Sequence, residues 1–376
     1  MNSLTSDWKF SRNSVLLIES LFFGVFLLFG LLYFFQFSYG LDQYLFSEGY
    51  FQLALNSHDH LVYVETIEMI RESGFEYGLN NDVGIAFIYL VLVKLFPWTV
   101  NEGLTVISFL FNCSVLVFTY LLWSKICAFY KFGISANIAF FLNTSLIYFL
   151  QLINKDMLTV CLFLYVLYFG LTRRLWLIFL VLPILFLVRQ QLAVFAILFM
   201  YFAQTKFPVK RIIFAYIATS TIAGLLSVFA GVIGEDSLGD GFNSFLIQFN
   251  AQYYVGYLVF NPIRVLQYIM DAYSSFYVFT EDGGIDMAKL LRIPQLLLLS
   301  VLCRPIFSMA WNFRYWLTTD AKPVVLIVVA YLLAWLMNPT INARYVMLIT
   351  PVILIFALFA RKNPMPIDLK DAQDEK

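Results

Sequence analysis

Residues 15–37 read VLLIESLFFGVFLLFGLLYFFQF. Apart from Glu19, Ser20 and Gln36, every side chain in the stretch is apolar, aromatic or absent. A helix rises about 1.5 Å per residue and needs about 20 apolar residues to cross the hydrocarbon of a bilayer. This run meets that length. It is too long and too apolar for the core of a secretory signal, and no small-residue cleavage site follows it. It therefore reads as an uncleaved first span, with Lys9 and Arg12 on the cytoplasmic side.

The rest of the chain has the same character. Hydrophobic residues make up 61% of the 376, against about 45–50% in an average soluble protein. Charged residues are only 13%, too few to cover a water-facing surface but sufficient where lipid covers the exterior. The 41 Phe and 23 Tyr fit this, with Tyr and Trp suited to the headgroup layer. Formal net charge is zero, which gives nucleic acid no electrostatic hold. Cys113, Cys127, Cys161 and Cys303 are scattered without paired spacing and read as small buried hydrophobes.

Further clear spans are 104–123, 134–153, 212–233, 293–311, 323–338 and 344–360, with shorter apolar runs at 83–97, 157–171, 175–188 and 190–203. The expected fold is thus all-α: a polytopic transmembrane helical bundle of about nine to eleven membrane segments. A single integral membrane domain covers 1–360, and 361–376 is a polar cytoplasmic tail. The basic clusters Lys125/Lys131, Arg173/Arg174, Lys206/Lys210/Arg211, Arg314/Lys322 and Arg361/Lys362 are assigned to the cytoplasm. Residues 38–82 and a large 234–292 loop then lie outside, with Asn154-Lys155-Asp156, Arg189-Gln190-Gln191 and Asn338 to Arg344. The count balances if 83–97, ending at Pro97 and Trp98, is re-entrant or interfacial, or else if 175–203 is one long span.

The external face therefore collects the unusual polar residues. His58-Asp59-His60, followed by Tyr63, holds both histidines of the chain around one acid. Asp59 suits a general base towards a hydroxyl, the trio suits a divalent cation, and the same turn suits a helix cap before the amphipathic run Leu61 to Ser73. Lys155 and Asp156 suit phosphate binding, or a turn with Asp156 as helix cap. Arg189, Gln190 and Gln191 interrupt a long apolar stretch, where a charge needs a partner or a wet cavity; an arginine fork binds diphosphates well. In the 234–292 loop the chain becomes aromatic and helical around Phe245 to Tyr257, and Arg264 follows. Glu281 to Gly284 reads as a turn. Arg344 and Tyr345 open the last span, where Arg344 either snorkels to headgroups or binds phosphate. No nucleotide-binding loop, zinc-protease helix or nucleophile elbow occurs.

Asp59 and Tyr63 in a first external loop, the Lys155-Asp156 step, the Arg189 turn and Arg344-Tyr345 in the last external turn together resemble a known layout. It is that of the GT-C-type integral membrane glycosyltransferases and the related O-antigen and exopolysaccharide polymerases of bacteria. The resemblance implies a multi-pass protein of the bacterial inner membrane. Its donor would be a polyprenyl-phosphate-linked sugar and its acceptor a glycan, with other polysaccharide-assembly proteins as companions. No cofactor is expected, with a divalent cation left open. Asp59 would be the catalytic acid of the first loop, and Lys155, Arg189 and Arg344 would hold phosphate. His58, His60, Tyr63, Asp156, Gln190, Arg264 and Tyr345 complete the expected substrate-binding set. The sequence departs from the larger GT-C enzymes in lacking a soluble C-terminal domain and in flanking Asp59 with His. The alternative expectation is a transporter or flippase for lipid-linked sugars without enzymatic activity.

Overall fold

The structure is a computed structural model that describes residues 12–39, 53–54, 58–74, 81–133, 135–150, 152–229, 242–279, 284–338 and 343–364. Within them the chain is all-α, apart from the parallel two-residue strands Leu53–Ala54 and Ile285–Asp286. In chain order the helices are α1 (Arg12–Tyr39), α2 (His58–Ser73), α3 (Asn81–Leu95), α4 (Thr105–Phe129), α5 (Ser135–Ile138) and α6 (Ser145–Tyr148). There follow α7 (Asp156–Leu171), α8 (Leu175–Leu180), α9 (Leu182–Val188), α10 (Gln190–Ala203), α11 (Val209–Phe229) and α12 (Phe242–Tyr253). The last six are α13 (Gly256–Ser274), α14 (Met287–Val301), α15 (Cys303–Trp311), α16 (Phe313–Trp316), α17 (Lys322–Trp335) and α18 (Ala343–Lys362).

Among the described residues four helices, α1, α4, α11 and α18, are long and apolar enough to cross a membrane, and α14 with α15 makes a fifth if their 53° bend lies within one span. The remaining apolar helices are shorter: α10 and α17, at 14 residues each, reach about 21 Å against hydrocarbon of about 30 Å. These helices are compatible with a multi-pass membrane protein, although fewer reach crossing length than the nine to eleven segments expected. Leu17, Phe179, Phe214, Phe307 and Trp311 stand exposed on the outer faces.

Three expectations need correcting. The span 134–153 is not one helix. It breaks into α5, a 3-10 turn at Ala139–Leu142, α6 and irregular backbone. The cause is polar: buried Asn143 donates from Nδ2 to the Phe140 carbonyl at 2.7 Å, and such side chains compete with the helical ladder. The 234–292 region is not mainly a loop. Residues 230–241 and most of the Glu281–Gly284 turn lie outside the described residues, but α12 and α13 pack against α11, and α13 also against α18. Tyr257, Asn261, Arg264, Tyr268 and Ala272 recur at helical spacing along α13 and are all buried. Finally, Cys303 is exposed and Cys113 half-buried, so only Cys127 and Cys161 are core residues.

Other expectations match. The amphipathic run became α2, and Gly74, at φ +75°, stops it in the left-handed region that a side chain resists. In α3, Tyr89 meets Phe111 at 5.6 Å between ring centres. Gly103, beyond α3, lies near His60. Glu19, the acid of the first stretch, accepts from Asn137 Nδ2 at 3.0 Å.

The bundle has two chemically different ends. Arg344 and Lys362 lie 18 residues apart on α18, about 27 Å along the axis. Lys362 Nζ donates to the carbonyls of Tyr130 and Lys131 at 2.8 and 2.7 Å, and Lys322 Nζ donates to the Thr205 carbonyl. The basic loops expected in the cytoplasm therefore meet at the Lys362 end. Between the ends the core is aromatic: Phe163 meets Tyr331 and Trp335 at 5.4 Å each, and Trp316 meets Phe356 at 5.1 Å.

Candidate functional site

At the Arg344 end, the connection 149–155 between α6 and α7 is held open by side chains. Asn112, fully buried in α4, donates to the carbonyls of Phe149, Leu150 and Leu152 at 2.9, 3.0 and 2.7 Å. Asn154 donates to Phe149 and Leu152 at 2.7 and 2.8 Å, and its Oδ1 accepts the Met157 N–H at 3.0 Å. Asn154, not Asp156, thus supplies the capping acceptor of α7. The buried backbone is satisfied without a ladder, and the Asp156 carboxylate is available for other partners.

Those partners are two arginines. Asp156 Oδ1 lies 2.9 Å from Arg189 Nη2, and Oδ2 lies 3.7 Å from Arg344 Nη1. The Arg344 Nη1 also pairs with Asp59. The result is a chain of alternating charge, Arg189–Asp156–Arg344–Asp59, drawn from four separate places in the sequence. Arg189 is a one-residue extended break between α9 and α10, Asp156 opens α7, Arg344 opens α18 and Asp59 opens α2. The inner half is dry, with Arg189 and Asp156 side chains 8% and 2% exposed; Arg344 and Asp59 are 25% and 44% exposed.

Aromatic rings floor the site. The Tyr345 ring lies 5.5 Å from the Arg189 guanidinium and 6.0 Å from that of Arg344, within cation–π range. The Tyr345 hydroxyl accepts from Asn338 Nδ2 at 3.3 Å, and its carbonyl accepts the Tyr331 hydroxyl. Lys155 Nζ lies 5.1 Å from the Tyr63 ring. The structure therefore brings together Asp59, Tyr63, Lys155, Asp156, Arg189, Arg344 and Tyr345 from the expected set.

The others stand apart. His60 is buried, and its Nδ1 accepts the Ile153 N–H at 2.8 Å. Burial pushes its imidazole down to about 4, against a smaller opposing effect from the Gly103 backbone. It is thus a neutral acceptor that pins the 149–155 connection. The His58 side chain lies outside the described residues, and Gln190 is exposed at the first position of α10. Arg264 is fully buried and donates to the Leu336 carbonyl at 2.6 Å, to that of Asn338, and to Asn261 Oδ1 at 2.9 Å. It closes the carbonyl end of α17, and Tyr268, one turn on, meets Tyr345 at 6.2 Å.

Sequence reasoning passed over Asn112, Arg292 and Gln295. Arg292 and Gln295 line a pocket with Arg344, Asn143 and Ser145. The only signal was their spacing of three on one helix face, at the end of what reads as a loop. Among the described residues no group of three or more His, Cys, Asp or Glu side chains is placed to hold a metal ion. No family model, no curated protein and no solved structure matches the chain.

Proposed function

We propose that the chain is an integral membrane glycosyltransferase or polysaccharide polymerase. It would act on polyprenyl-phosphate-linked sugars in cell-surface glycan biosynthesis, in the bacterial inner membrane. The observation that carries this reading is the wet Asp59–Arg344 pair, standing on the dry Asp156–Arg189 pair at one end of a set of apolar helices. A lipid-borne phosphate meets cations there while its tail stays among apolar side chains.

The two pairs have different strengths. An exposed ion pair contributes about 0–1 kcal/mol, whereas separating a buried one leaves an uncompensated charge. The donor phosphate takes Arg344 from Asp59, and Asp156 keeps Arg344 in place. Asp59 then turns to the acceptor hydroxyl. The hydroxyl oxygen attacks the anomeric carbon and its proton goes to the Asp59 carboxylate. The bond from the anomeric carbon to the phosphate oxygen breaks, and the electron pair leaves on the lipid phosphate. Arg344 and Lys155 stabilise that charge. Arg189 acts through Asp156 as a positioning residue.

The test is conversion of a polyprenyl-diphosphate-linked glycan by the purified protein in lipid. Asp59→Asn is expected to lower turnover by about 10²–10⁴. It is also expected to bind donor at least as tightly as the wild type, because it removes the carboxylate competing for Arg344. Full turnover in Asp59→Asn would rule out the base.

A further inference from the structure

Arg264 is a charge placed away from water, in the middle of α13 and fully buried. Its Nη1 donates to the Leu336 carbonyl at 2.6 Å and to Asn261 Oδ1 at 2.9 Å, and its Nη2 donates to the Asn338 carbonyl. The Tyr257 ring lies 5.1 Å from the guanidinium. Asn261 is itself fixed, because its Nδ2 donates to Ser220 Oγ of α11 at 3.0 Å. The head of Arg264 is therefore held from α11 and α13 and aimed at two carbonyls that follow α17. Carbonyls at a helix end need donors, but a glycine turn supplies them without burying a charge. What a guanidinium adds is rigidity, since one planar fork fixes the carbonyls of 336 and 338 together.

The turn held in this way carries Asn338, whose Nδ2 donates to the Tyr345 hydroxyl at 3.3 Å. The Tyr345 backbone is pinned separately, by the Tyr331 hydroxyl on its carbonyl. Tyr268, one turn beyond Arg264, lies 6.2 Å from the same ring, and its hydroxyl donates to the Trp335 carbonyl at 3.1 Å. Fixed at its backbone and at its hydroxyl, the Tyr345 ring stands 5.5 Å from the Arg189 guanidinium and 6.0 Å from that of Arg344. Cation–π contact holds within about 6 Å of the ring centre. Arg344 is at that limit, so a small shift of the ring releases it first. We propose that Arg264 is a positioning residue for the ion-pair network: it holds Asn338, Asn338 holds the Tyr345 ring, and the ring sets the two guanidiniums. Arg264 itself touches no substrate. This deepens the proposed function and rests on the Arg189–Asp156–Arg344–Asp59 network being the working site.

The experiment uses the full-length protein in lipid nanodiscs, with a fluorotyrosine at position 345 alone, and has two arms. The first reads the fluorine NMR line and needs no substrate. The wild type is expected to give one narrow line. Arg264→Gln should broaden or split it, and Arg264→Lys, which keeps the charge but not the fork, should do so less. Asn338→Ala removes one amide and leaves the Arg264 contacts to the carbonyls in place; it should disturb the line too, and it tests the hold on the ring even where an Arg264 variant does not fold. A line unchanged in the variants that fold would overturn the proposal. The second arm reads turnover of a polyprenyl-diphosphate-linked glycan by the unlabelled protein. Arg264→Lys and Tyr345→Phe should each lower it by about three- to tenfold, the scale of coupling between side chains in one network. Together they should cost no more than the worse of the two. Losses that multiply would show that Arg264 does not act through Tyr345 and would overturn the proposal as well. A wild type that turns over no donor, with a line that still depends on Arg264 and Asn338, would remove the glycosyltransferase reading and leave the hold on Tyr345 standing.

Discussion

Charge is expensive away from water, and Arg189 and Asp156 share that cost by pairing. The same economy explains His60. A buried imidazole that accepts a backbone N–H at Nδ1 is held neutral, and its proton affinity falls to about 4. The consequence is a pH dependence of stability with a definite sign. Between about 4 and the unfolded value of about 6.5, the unfolded chain binds the proton and the folded chain does not. Stability is therefore complete above 6.5 and falls as the pH drops towards 4, by up to roughly 3 kcal/mol from this group. His60→Asn keeps an acceptor oxygen but does not titrate. Its melting temperature should fall less than that of the wild type between pH 7 and pH 4.5; identical slopes would show that His60 is not buried neutral. Asp59 and Arg344 were visible from sequence because polar residues at the ends of apolar runs demand a reason. Asn112 was not, because one amide inside a long apolar helix carries no sign of which carbonyls it will meet.

Helices α3 and α9 meet through a glycine. A Cβ on Gly84 would lie 1.9 Å from the Leu187 carbonyl oxygen, a clash with backbone that no rotamer relieves. Leu187 stands two residues before Arg189, so a displaced α9 moves the inner pair. Gly84→Ala is expected to destabilise the protein by an amount typical of overpacking, about 1–3 kcal/mol, read as a lower melting temperature, and to weaken lipid-phosphate binding as well. A variant that matches the wild type in both would mean that α3 packs elsewhere. At this scale the helix ends were more legible than the breaks. Gly74 ended α2 as glycine does, and Arg189 divided α9 from α10. The breaks of 134–153 depend on Asn143 within the segment and on Asn112 and Gln295, which arrive from other helices. Hydropathy averages over those partners and cannot register them.

For the whole molecule, the two ends make the functional argument testable. The Asp59–Arg344 network lies at one end of α18 and the lysine contacts of Lys362 at the other, about 27 Å away. Glu72 on α2 and Arg174 between α7 and α8 are both exposed. In a background without the native cysteines, Glu72→Cys should react with an impermeant maleimide added outside cells, and Arg174→Cys only after the membrane is opened. Labelling of both from outside would invert or break the topology. The space between the ends is filled by Phe163, Tyr331, Trp335, Trp316 and Phe356.

The amino-acid sequence alone determined that this protein is helical and apolar, that its basic loops sort to one side, and that its odd polar residues sort to the other. Those properties are sums over neighbours in the chain, and a bilayer-sized apolar run is recognisable without knowing its partners. Tertiary structure alone decided that Asp156 pairs with two arginines while Asn154 caps its helix. It also turned His60 and Arg264 to backbone amide and carbonyl groups, drew 242–274 into the packed helices, and put Arg292 and Arg344 among the residues lining one pocket. Each of these depends on a partner far away in sequence, and the energy of a buried polar group is decided by whether that partner arrives.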